Sequence, residues 1–190
     1  DSSPSRGLGD VYKRQSAGYK VIELHGAHGY LIHSFLSPLS NKRTDKYGGD
    51  LYGRMKLAID ISSALRRSIS DEMPLFFRVS STDNLENGWS LEDSVELAKE
   101  LKKVGVDVID CSSGGISGSA TAARGKRMPG YQVPFAEKIK QNANIMTMAV
   151  GLITHPEQAN QIIESSKADL VAVAREALFN PCLLYTSDAA

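Results

Sequence analysis

The feature of this sequence that most limits its fold is a regular alternation of short apolar runs with longer amphipathic stretches. The short runs are rich in Val, Ile or Phe, and each is too short for a helix of ordinary length. Their sequences are KVIELH, PLFFRVS, VDVIDCSS, IMTMAVG and DLVAVAR. Runs of this kind are typical of buried strands in parallel sheets. The alternation therefore predicts five parallel β-strands with helices between them.

The longer stretches between the runs have the spacing of amphipathic helices. In one stretch an apolar residue recurs every four positions, at Leu57, Ile61, Leu65 and Ile69. A second stretch has one apolar face, which is formed by Leu91, Val95, Ala98 and Leu101. Spacings of three and four residues place side chains on one side of a helix. Each pattern predicts a helix that packs against the sheet.

Two of the predicted helices have capping residues at their starts. Ser90 stands just before the second helix, and Asp93 is three residues after Ser90, which is the spacing of a capping box. Another helix is predicted to begin in the segment THPEQ, with Thr154 as its capping residue and Pro156 in its first turn. Strand and helix thus alternate through the middle of the chain.

An alternation of strands and helices forms an all-parallel α/β sheet, which is either doubly wound or closed into a barrel. Periodicity alone does not separate these folds. Polar residues gather at the carboxyl ends of the predicted strands, where a TIM (β/α)8 barrel carries its active site. They are His25, His28, Arg78, Ser80, residues 111–115, Gly151 and Arg175. No G-x-G-x-x-G motif follows a strand, so the barrel is favoured over a dinucleotide-binding fold.

Both ends of the chain lack the pattern of the middle. Residues 1–15 and 182–190 show neither helical nor strand periodicity, and both resemble translated sequencing-adapter sequence. We therefore expect these two segments to be non-native. The expected folded part is residues 16–181, which is long enough to bury one hydrophobic core.

The composition limits the class of ligand. Lys and Arg together number 22 and so do Asp and Glu, so no net charge attracts a nucleic acid or an anionic membrane. The sequence contains no apolar run of about 18 residues and no signal-peptide pattern. Its two cysteines, Cys111 and Cys182, are too few for a disulfide framework. We expect a cytoplasmic protein with a small-molecule ligand.

Several long segments resemble, in order and spacing, the second half of the Old Yellow Enzyme family. They are ELHGAHGYLIHSFLSPLSNKRTDKYGGDLYGR, LFFRVSSTD, GVDVIDCSSGG, PGYQVPFAEKI and AVGLIT, followed by DLVAVAREAL. The most similar branch is the bacterial, thermophilic-like group of NADPH dehydrogenases and enoate reductases. The resemblance covers residues 16–181 and implies a partial TIM barrel, in which the five predicted strands are strands four to eight with their helices.

The resemblance implies an enzyme that contains FMN and passes hydride from NADPH through the flavin to the activated C=C bond of an enone or a related electrophilic alkene. His25 and His28 match the pair that binds the substrate oxygen. Two converging N–H donors polarise that oxygen, so that the β-carbon accepts hydride. Tyr30 matches the tyrosine that protonates the α-carbon, a role that suits a phenol because it is neutral at pH 7.

The same resemblance implies four cofactor-binding residues. Arg78, in an otherwise apolar strand, matches the arginine beside the flavin ring, where a positive charge stabilises the reduced form. Gly151, Ala174 and Arg175 match the loops after the last two strands. In a TIM barrel these loops bind a phosphate through backbone N–H groups.

Several residues in this region also have structural interpretations. For Arg78 the alternative is an internal salt bridge to Glu23 or Asp110. Three histidines at H-x-x-H-x-x-x-x-H also suit zinc, but no Cys or carboxylate stands at a familiar ligand spacing, so no metal site is predicted. His33 lies in an apolar run and is predicted to be a hydrogen-bonded packing residue. Cys111 is predicted to be a buried thiol without a catalytic role.

Two other interpretations of the whole chain stay open. One is the flavin barrel of a larger enzyme of the dienoyl-CoA reductase type, in which an iron–sulfur motif follows the barrel. The other is an inactive fragment of the ene-reductase, because a partial barrel leaves unpaired strand edges and an open interior. Formation of a homo-oligomer by the full-length protein is also open.

Overall fold

A computed structural model of the chain describes residues 18–117 and 127–183. The elements in this part are, in chain order, β1 (Ile22–Gly26), α1 (Leu31–Leu36), α2 (Leu51–Ser68), β2 (Leu75–Ser80), α3 (Leu91–Lys103), β3 (Val108–Ser112), α4 (Val133–Ala143), β4 (Met146–Val150), α5 (Pro156–Glu164), β5 (Leu170–Ala172) and α6 (Arg175–Phe179). The segments that we expect to be non-native, 1–15 and 182–190, lie outside it except for residues 182 and 183. None of the helices described is both long and apolar enough to span a bilayer.

The five strands form one parallel sheet, in the same order in which they occur along the chain. A doubly wound sheet reverses its strand order at a switch point, and this sheet does not. Sequential order is the arrangement of a barrel wall, in which each strand pairs with the next. The fold is therefore a partial TIM barrel, as predicted, and β1 and β5 are the unpaired edges of the described sheet.

The sheet face that packs against the helices carries the hydrophobic core. Its side chains on β2 and β3 include Phe77, Val79, Ile109 and Cys111, and all four are buried in one cluster with residues of α2, α3 and α4. Burial of each large apolar side chain contributes about 1.5–3 kcal/mol. Burial also raises the pKa of the Cys111 thiol well above its ordinary value. The prediction of an inert, buried Cys111 thus agrees with its surroundings.

The predicted helix starts agree with the structure in one case and differ in the other. Ser90 Oγ accepts from the Asp93 N–H at 3.1 Å, and the Asp93 carboxylate accepts from the Ser90 N–H at 3.1 Å, so the predicted capping box is confirmed. The prediction that Thr154 caps α5 is wrong, because the N-cap is His155. Pro156, the first helical residue, restricts its predecessor to extended backbone and so places the boundary at His155.

Helix α2 is the one predicted from apolar residues at positions 57, 61, 65 and 69. It begins at Leu51, earlier than that pattern, because the Asp50 carboxylate accepts from the Gly53 N–H at 2.8 Å and caps it. Its fully buried residues are Met55, Ala58 and Ser62. The face that meets the sheet is therefore offset from the predicted apolar stripe.

Candidate active site

The turn after β1 carries the predicted substrate-binding residue His28, and its backbone is held from several sides. The His28 N–H donates to Ser80 Oγ at 3.0 Å, and the Gly29 N–H donates to His33 Nδ1 at 2.9 Å. His28 and Gly29 have φ values of 59° and 80°. A Cβ at Gly29 would lie 2.3 Å from the Gly115 carbonyl oxygen, so only glycine allows this turn to pack against the loop after β3.

The rings of His25, His28 and Tyr30 lie together at the carboxyl end of β1. The ring centroids of His25 and His28 are 5.4 Å apart, and those of His25 and Tyr30 are 5.1 Å apart. Tyr30 is 65% exposed, so its side chain is accessible to a ligand. The structure thus brings the predicted substrate-binding pair and the predicted proton donor into one cluster, while their roles toward a substrate stay predictions.

Both histidines of this cluster are neutral at pH 7. Burial, together with the positive charge of Arg78, lowers the pKa of His25 and lowers the pKa of His28 to about 4. The Ala27 N–H donates to His25 Nδ1 at 3.2 Å, so the His25 proton is on Nε2. His28 Nε2 lies 2.6 Å from Ser112 Oγ, and when that hydroxyl donates, His28 Nδ1 carries the proton. In that tautomer of His28, each ring has one N–H to donate to a ligand.

The third histidine of the motif, His33, does not join this cluster. Its Nδ1 accepts from the Gly29 N–H and its Nε2 is 2.8 Å from the Asp83 carboxylate, both away from solvent. The prediction that His33 is a hydrogen-bonded, buried residue is confirmed. Both ring nitrogens of His33 are thus occupied by Gly29 and Asp83.

A pocket of about 380 Å³ opens at the carboxyl ends of the strands. Five of the seven predicted site residues line it, namely His28, Arg78, Gly151, Ala174 and Arg175. The other two, His25 and Tyr30, are in ring contact with each other beside His28. Residues separated by up to 150 positions in the sequence therefore meet at one site, as expected for the active-site face of a barrel.

Arg78 lies on the inner face of the sheet, paired in register with His25 on β1 and Asp110 on β3. Its Nε is 3.2 Å from Asp110 Oδ2, so the salt bridge that was the alternative interpretation of Arg78 is present. The contact lacks hydrogen-bond geometry, and both Arg78 Nε and Asp110 Oδ1 are buried without a hydrogen-bond partner among the described residues. Arg78 therefore pairs with a carboxylate and also lines the pocket.

Asp110 carries an unusual proton affinity for a carboxyl group. Burial raises the pKa of Asp110 to about 7; Arg78 opposes this rise and the neighbouring Glu23 adds to it. Burial also raises the pKa of Glu23. Glu23 and Asp110 therefore form a coupled carboxyl pair with a raised affinity for a proton beside Arg78.

We expect the Asp110 proton to appear in the pH dependence of stability. The folded protein holds this proton up to about pH 7, whereas the ordinary pKa of an aspartate is 3.8. The contribution of the proton to the free energy of unfolding is therefore complete below pH 3.8 and is lost as pH rises through 7. Asp110→Asn in the full-length protein should flatten the fall in unfolding free energy across this range, as measured by urea unfolding. The control is the exposed Asp71→Asn. Equal pH profiles for Asp110→Asn and the unmodified protein would contradict the shifted pKa.

The loop after β4 forms another wall of the pocket around Gly151. Its φ is 118°, and a Cβ there would lie 3.0 Å from both Gln132 Nε2 and Tyr131 Cε1. Gln132 is fixed in turn, because its Oε1 accepts from Ser113 Oγ at 2.6 Å and its Nε2 donates to the Val150 carbonyl at 3.2 Å. Glycine is therefore required at 151, and the backbone there is accessible from the pocket.

Ala174 and Arg175 bring the segment after β5 to the same pocket. The predicted strand DLVAVAR ends early, at Ala172. Helix α6 then begins at Arg175, and Ala174 directly precedes it. The charged residues that line the pocket are three arginines, Arg78, Arg127 and Arg175, and one glutamate, Glu176, so the lining has a net positive charge. Such a charge arrangement suits an anionic ligand.

The sequence placed Ser80 and Ser112 among the polar residues at strand ends without assigning them a role, and it did not identify Gln132. Ser80 and Ser112 bond to His28 across 52 and 84 positions, and Gln132 bonds to the Val150 carbonyl next to Gly151. Each lies at a strand end or a helix start, and that position was the only local signal available. A serine or glutamine in such a position has no pattern that distinguishes it from a turn residue.

Comparison with known proteins gives the family. The model of the NADH:flavin oxidoreductase / NADH oxidase family matches residues 12–188. An NADPH dehydrogenase of Halalkalibacterium halodurans is 50% identical over 169 residues, which are 89% of this chain and 48% of the relative. The chain therefore spans about half the length of the curated relatives it matches.

Solved structures agree with the fold. A 2-naphthoyl-CoA reductase in complex with 2-naphthoyl-CoA has a TM-score of 0.85 and 28% identity, over 96% of this chain and 28% of that one. An Old Yellow Enzyme homologue from Zymomonas mobilis has a TM-score of 0.73 and 24% identity, over 97% of this chain and 52% of that one. The sequential parallel sheet is part of a barrel of the Old Yellow Enzyme type. The family match and the identity to NADPH dehydrogenases show that the chain belongs to the NADH:flavin oxidoreductase / NADH oxidase family.

Proposed function

We propose that the full-length protein uses FMN to transfer hydride from NADPH to the activated C=C bond of an enone or a related electrophilic alkene. The observation that carries this proposal is the placement of two neutral histidines, an exposed tyrosine and Arg78 beside one pocket. Relatives that are NADPH dehydrogenases support NADPH as the hydride donor. The chain's zero net charge supports a small molecule as the substrate, rather than a nucleic acid.

The pocket residues fit FMN in their charge and backbone arrangement. Arg78 brings a positive charge to the pocket lining while its Nε is paired with Asp110, so an anionic or electron-rich ligand ring suits it. Gly151 leaves the backbone open to close approach, and Ala174 and Arg175 add a second backbone segment for a phosphate. Bound FMN would supply the redox chemistry, taking hydride from NADPH and passing it to the alkene.

The protein's own residues would bind and protonate the substrate. His25 and His28 each donate one N–H bond to the carbonyl oxygen, which withdraws electron density from the alkene and makes its β-carbon electrophilic. Ser112 would keep His28 in the donor form by donating to its Nε2. Tyr30 gives a proton to the α-carbon and regains one from water, because its side chain is exposed. The alkene leaves as the saturated carbonyl compound.

Phenol titration of the full-length, FMN-loaded protein tests the substrate-binding half of this proposal. A phenolate oxygen resembles the polarised oxygen of an enone, so we expect phenol to bind at the two histidines and to change the flavin absorbance. Anisole is the control because its oxygen is methylated. Absence of phenol binding, or unchanged binding by a double variant with Ala at positions 25 and 28, would contradict the proposal.

Arg78→Met in the full-length protein is expected to weaken FMN binding and lower the flavin reduction potential. The variant removes a positive charge and a charged hydrogen-bond donor, a loss of about 1.5–3 kcal/mol or roughly 10- to 150-fold in Kd. Arg78→Lys is the matched control, since it keeps the charge and loses the planar guanidinium. Fluorescence titration and redox titration give the two quantities. If both are unchanged in Arg78→Met, then Arg78 serves only its ion pair with Asp110.

A second candidate function is the barrel of a larger flavoenzyme of the dienoyl-CoA reductase type. The likeness to 2-naphthoyl-CoA reductase, at a TM-score of 0.85, supports it. The 46–50% identity to NADPH dehydrogenases favours the smaller enzyme. The complete gene distinguishes them, because the larger type has clustered cysteines after the barrel. We also propose a cytoplasmic location, which suits the free, buried thiol of Cys111.

A further inference from the structure

The buried histidine of the motif, His33, makes a direct bond to the turn that carries the site. Its Nδ1 accepts from the Gly29 N–H at 2.9 Å, and Gly29 stands between His28 and Tyr30. His33 is 0% exposed and lies in α1, outside the pocket. A histidine that served only to fill space would not need an acceptor aimed at this one amide.

The other ring nitrogen of His33 is held by a buried carboxylate. Its Nε2 is 2.8 Å from Asp83 Oδ1, and Asp83 Oδ2 accepts from Ser37 Oγ at 2.6 Å and from the Trp89 N–H at 2.8 Å. Burial raises the pKa of Asp83, but the hydrogen bonds from His33, Ser37 and Trp89 outweigh it and bring the pKa below the ordinary value. Asp83 is therefore a carboxylate with its acceptors occupied.

These contacts fix both the tautomer and the position of the His33 ring. Because the Gly29 N–H can only donate, Nδ1 is the acceptor and the proton is on Nε2, where it is donated to Asp83. Asp83 is in turn held by the loop after β2, since its own N–H donates to the Trp89 carbonyl at 2.9 Å. The imidazole is thus anchored to a second loop of the barrel and cannot turn without breaking two bonds.

The turn itself has little freedom on its other sides. The Gly115 carbonyl crowds Gly29, leaving no room for a Cβ, and Ser80 holds the His28 N–H. The bond to His33 adds a third constraint on the turn, at the Gly29 amide. The positions of the His28 ring and the Tyr30 ring relative to a ligand depend on this turn, and a displacement of about 1 Å can cost about 100-fold in rate.

We infer that His33 is a positioning residue, whose Nδ1 clamps the amide of Gly29 and so sets where His28 and Tyr30 meet the substrate, while its bond to Asp83 stabilises the fold. The inference rests on the proposed function, because the substrate is the enone of that proposal. The inference goes beyond a packing role for His33, because we expect its bond to Gly29 and its bond to Asp83 to affect different properties of the protein. The first concerns the geometry of the site and the second concerns the stability of the fold.

Two substitutions separate the two bonds of His33 in the full-length, FMN-loaded protein. The Oδ1 atom in His33→Asn takes the place of Nδ1, so this variant keeps the acceptor for Gly29 but does not reach Asp83. The Nε2 atom in His33→Gln takes the place of the ring Nε2, so this variant keeps the donor to Asp83 but loses the acceptor for Gly29. Each variant is measured by phenol titration, by thermal unfolding and by amide hydrogen exchange at Gly29.

We expect His33→Gln to raise the phenol Kd and speed Gly29 exchange, each by about tenfold, with little loss of melting temperature. We expect His33→Asn to keep phenol Kd and Gly29 exchange within about twofold while lowering the melting temperature, because the buried Asp83 loses a donor. Equal phenol binding by the two variants, or unchanged exchange in His33→Gln, would overturn the inference. If the unmodified protein binds no phenol, the proposed function fails, and Gly29 exchange still tests the clamp.

Discussion

Produced alone, the 190-residue chain is expected to lose FMN during purification, whereas the full-length protein retains it. A closed barrel of this type has eight strands, and the described part of the chain has five. The edges of β1 and β5 are unpaired, and Phe179, which lines the pocket, is 83% exposed. The flavin site is therefore open on one side and the edge strands favour aggregation. Bound flavin is measured by absorbance after gel filtration.

The matched control uses the same polypeptide in two pieces. The full-length protein is divided immediately before the position of residue 16, and the two pieces are produced together, so that the missing strands are available to pair with the edges of β1 and β5. We expect this combination to recover soluble, FMN-containing protein. A soluble, monomeric and yellow preparation of the chain alone would show that the partial barrel is sufficient for cofactor binding, contrary to this account.

Replacement of Tyr30 by Phe in the full-length protein is expected to separate the two halves of the reaction. Reduction of the bound flavin by NADPH should be nearly unchanged, since that step does not use the tyrosine proton. Reduction of an enone that needs a proton at its α-carbon should slow by about 100-fold or more. Stopped-flow measurement of each half-reaction gives both rates. A Tyr30→Phe variant slowed only in flavin reduction would contradict the assigned role.

Variants at His25 and His28 are expected to affect enone binding as well as the rate, unlike Tyr30→Phe. His25→Ala and His28→Ala should each weaken enone binding and slow hydride transfer to it, by about 1–3 kcal/mol for each lost donor. Tyr52→Phe is the control for the tyrosine, because Tyr52 is similarly exposed and lies on α2, outside the pocket. If this control slows enone reduction as much as Tyr30→Phe does, the effect does not arise from proton donation at the site.

The fold was predictable because the strands are short, buried and rich in β-branched or aromatic residues. All five predicted strands are present, and the capping box of Ser90 and Asp93 is confirmed. The helix Leu31–Leu36 was not predicted, since its six residues give too few turns for a periodic pattern. The prediction at Thr154 was wrong because the restriction that Pro156 places on His155 outweighed the capping preference of threonine.

The site was predictable to the extent that its residues carry chemistry of their own. Histidines and arginines at strand ends indicated a barrel active site, whereas the role of Tyr30 came from the resemblance to the Old Yellow Enzyme family, and the structure brings these residues together. The supporting bonds were not predictable, because Ser112 reaches His28 across 84 positions and Asp83 reaches His33 across 50. Long-range hydrogen bonds of serine and aspartate leave no local pattern in a sequence. They depend on which loops the folded barrel places side by side.

The path of the hydride is the most direct measurement of the proposed function. Full-length, FMN-loaded protein is mixed anaerobically with 2-cyclohexenone and with NADPH in which both hydrogens on the nicotinamide C4 are replaced by deuterium. The product is examined by NMR. We expect saturated ketone with one deuterium at the β-carbon and a solvent-derived proton at the α-carbon. Deuterium at the α-carbon, or flavin reduction without any saturated ketone, would contradict hydride transfer to an enone held by His25 and His28.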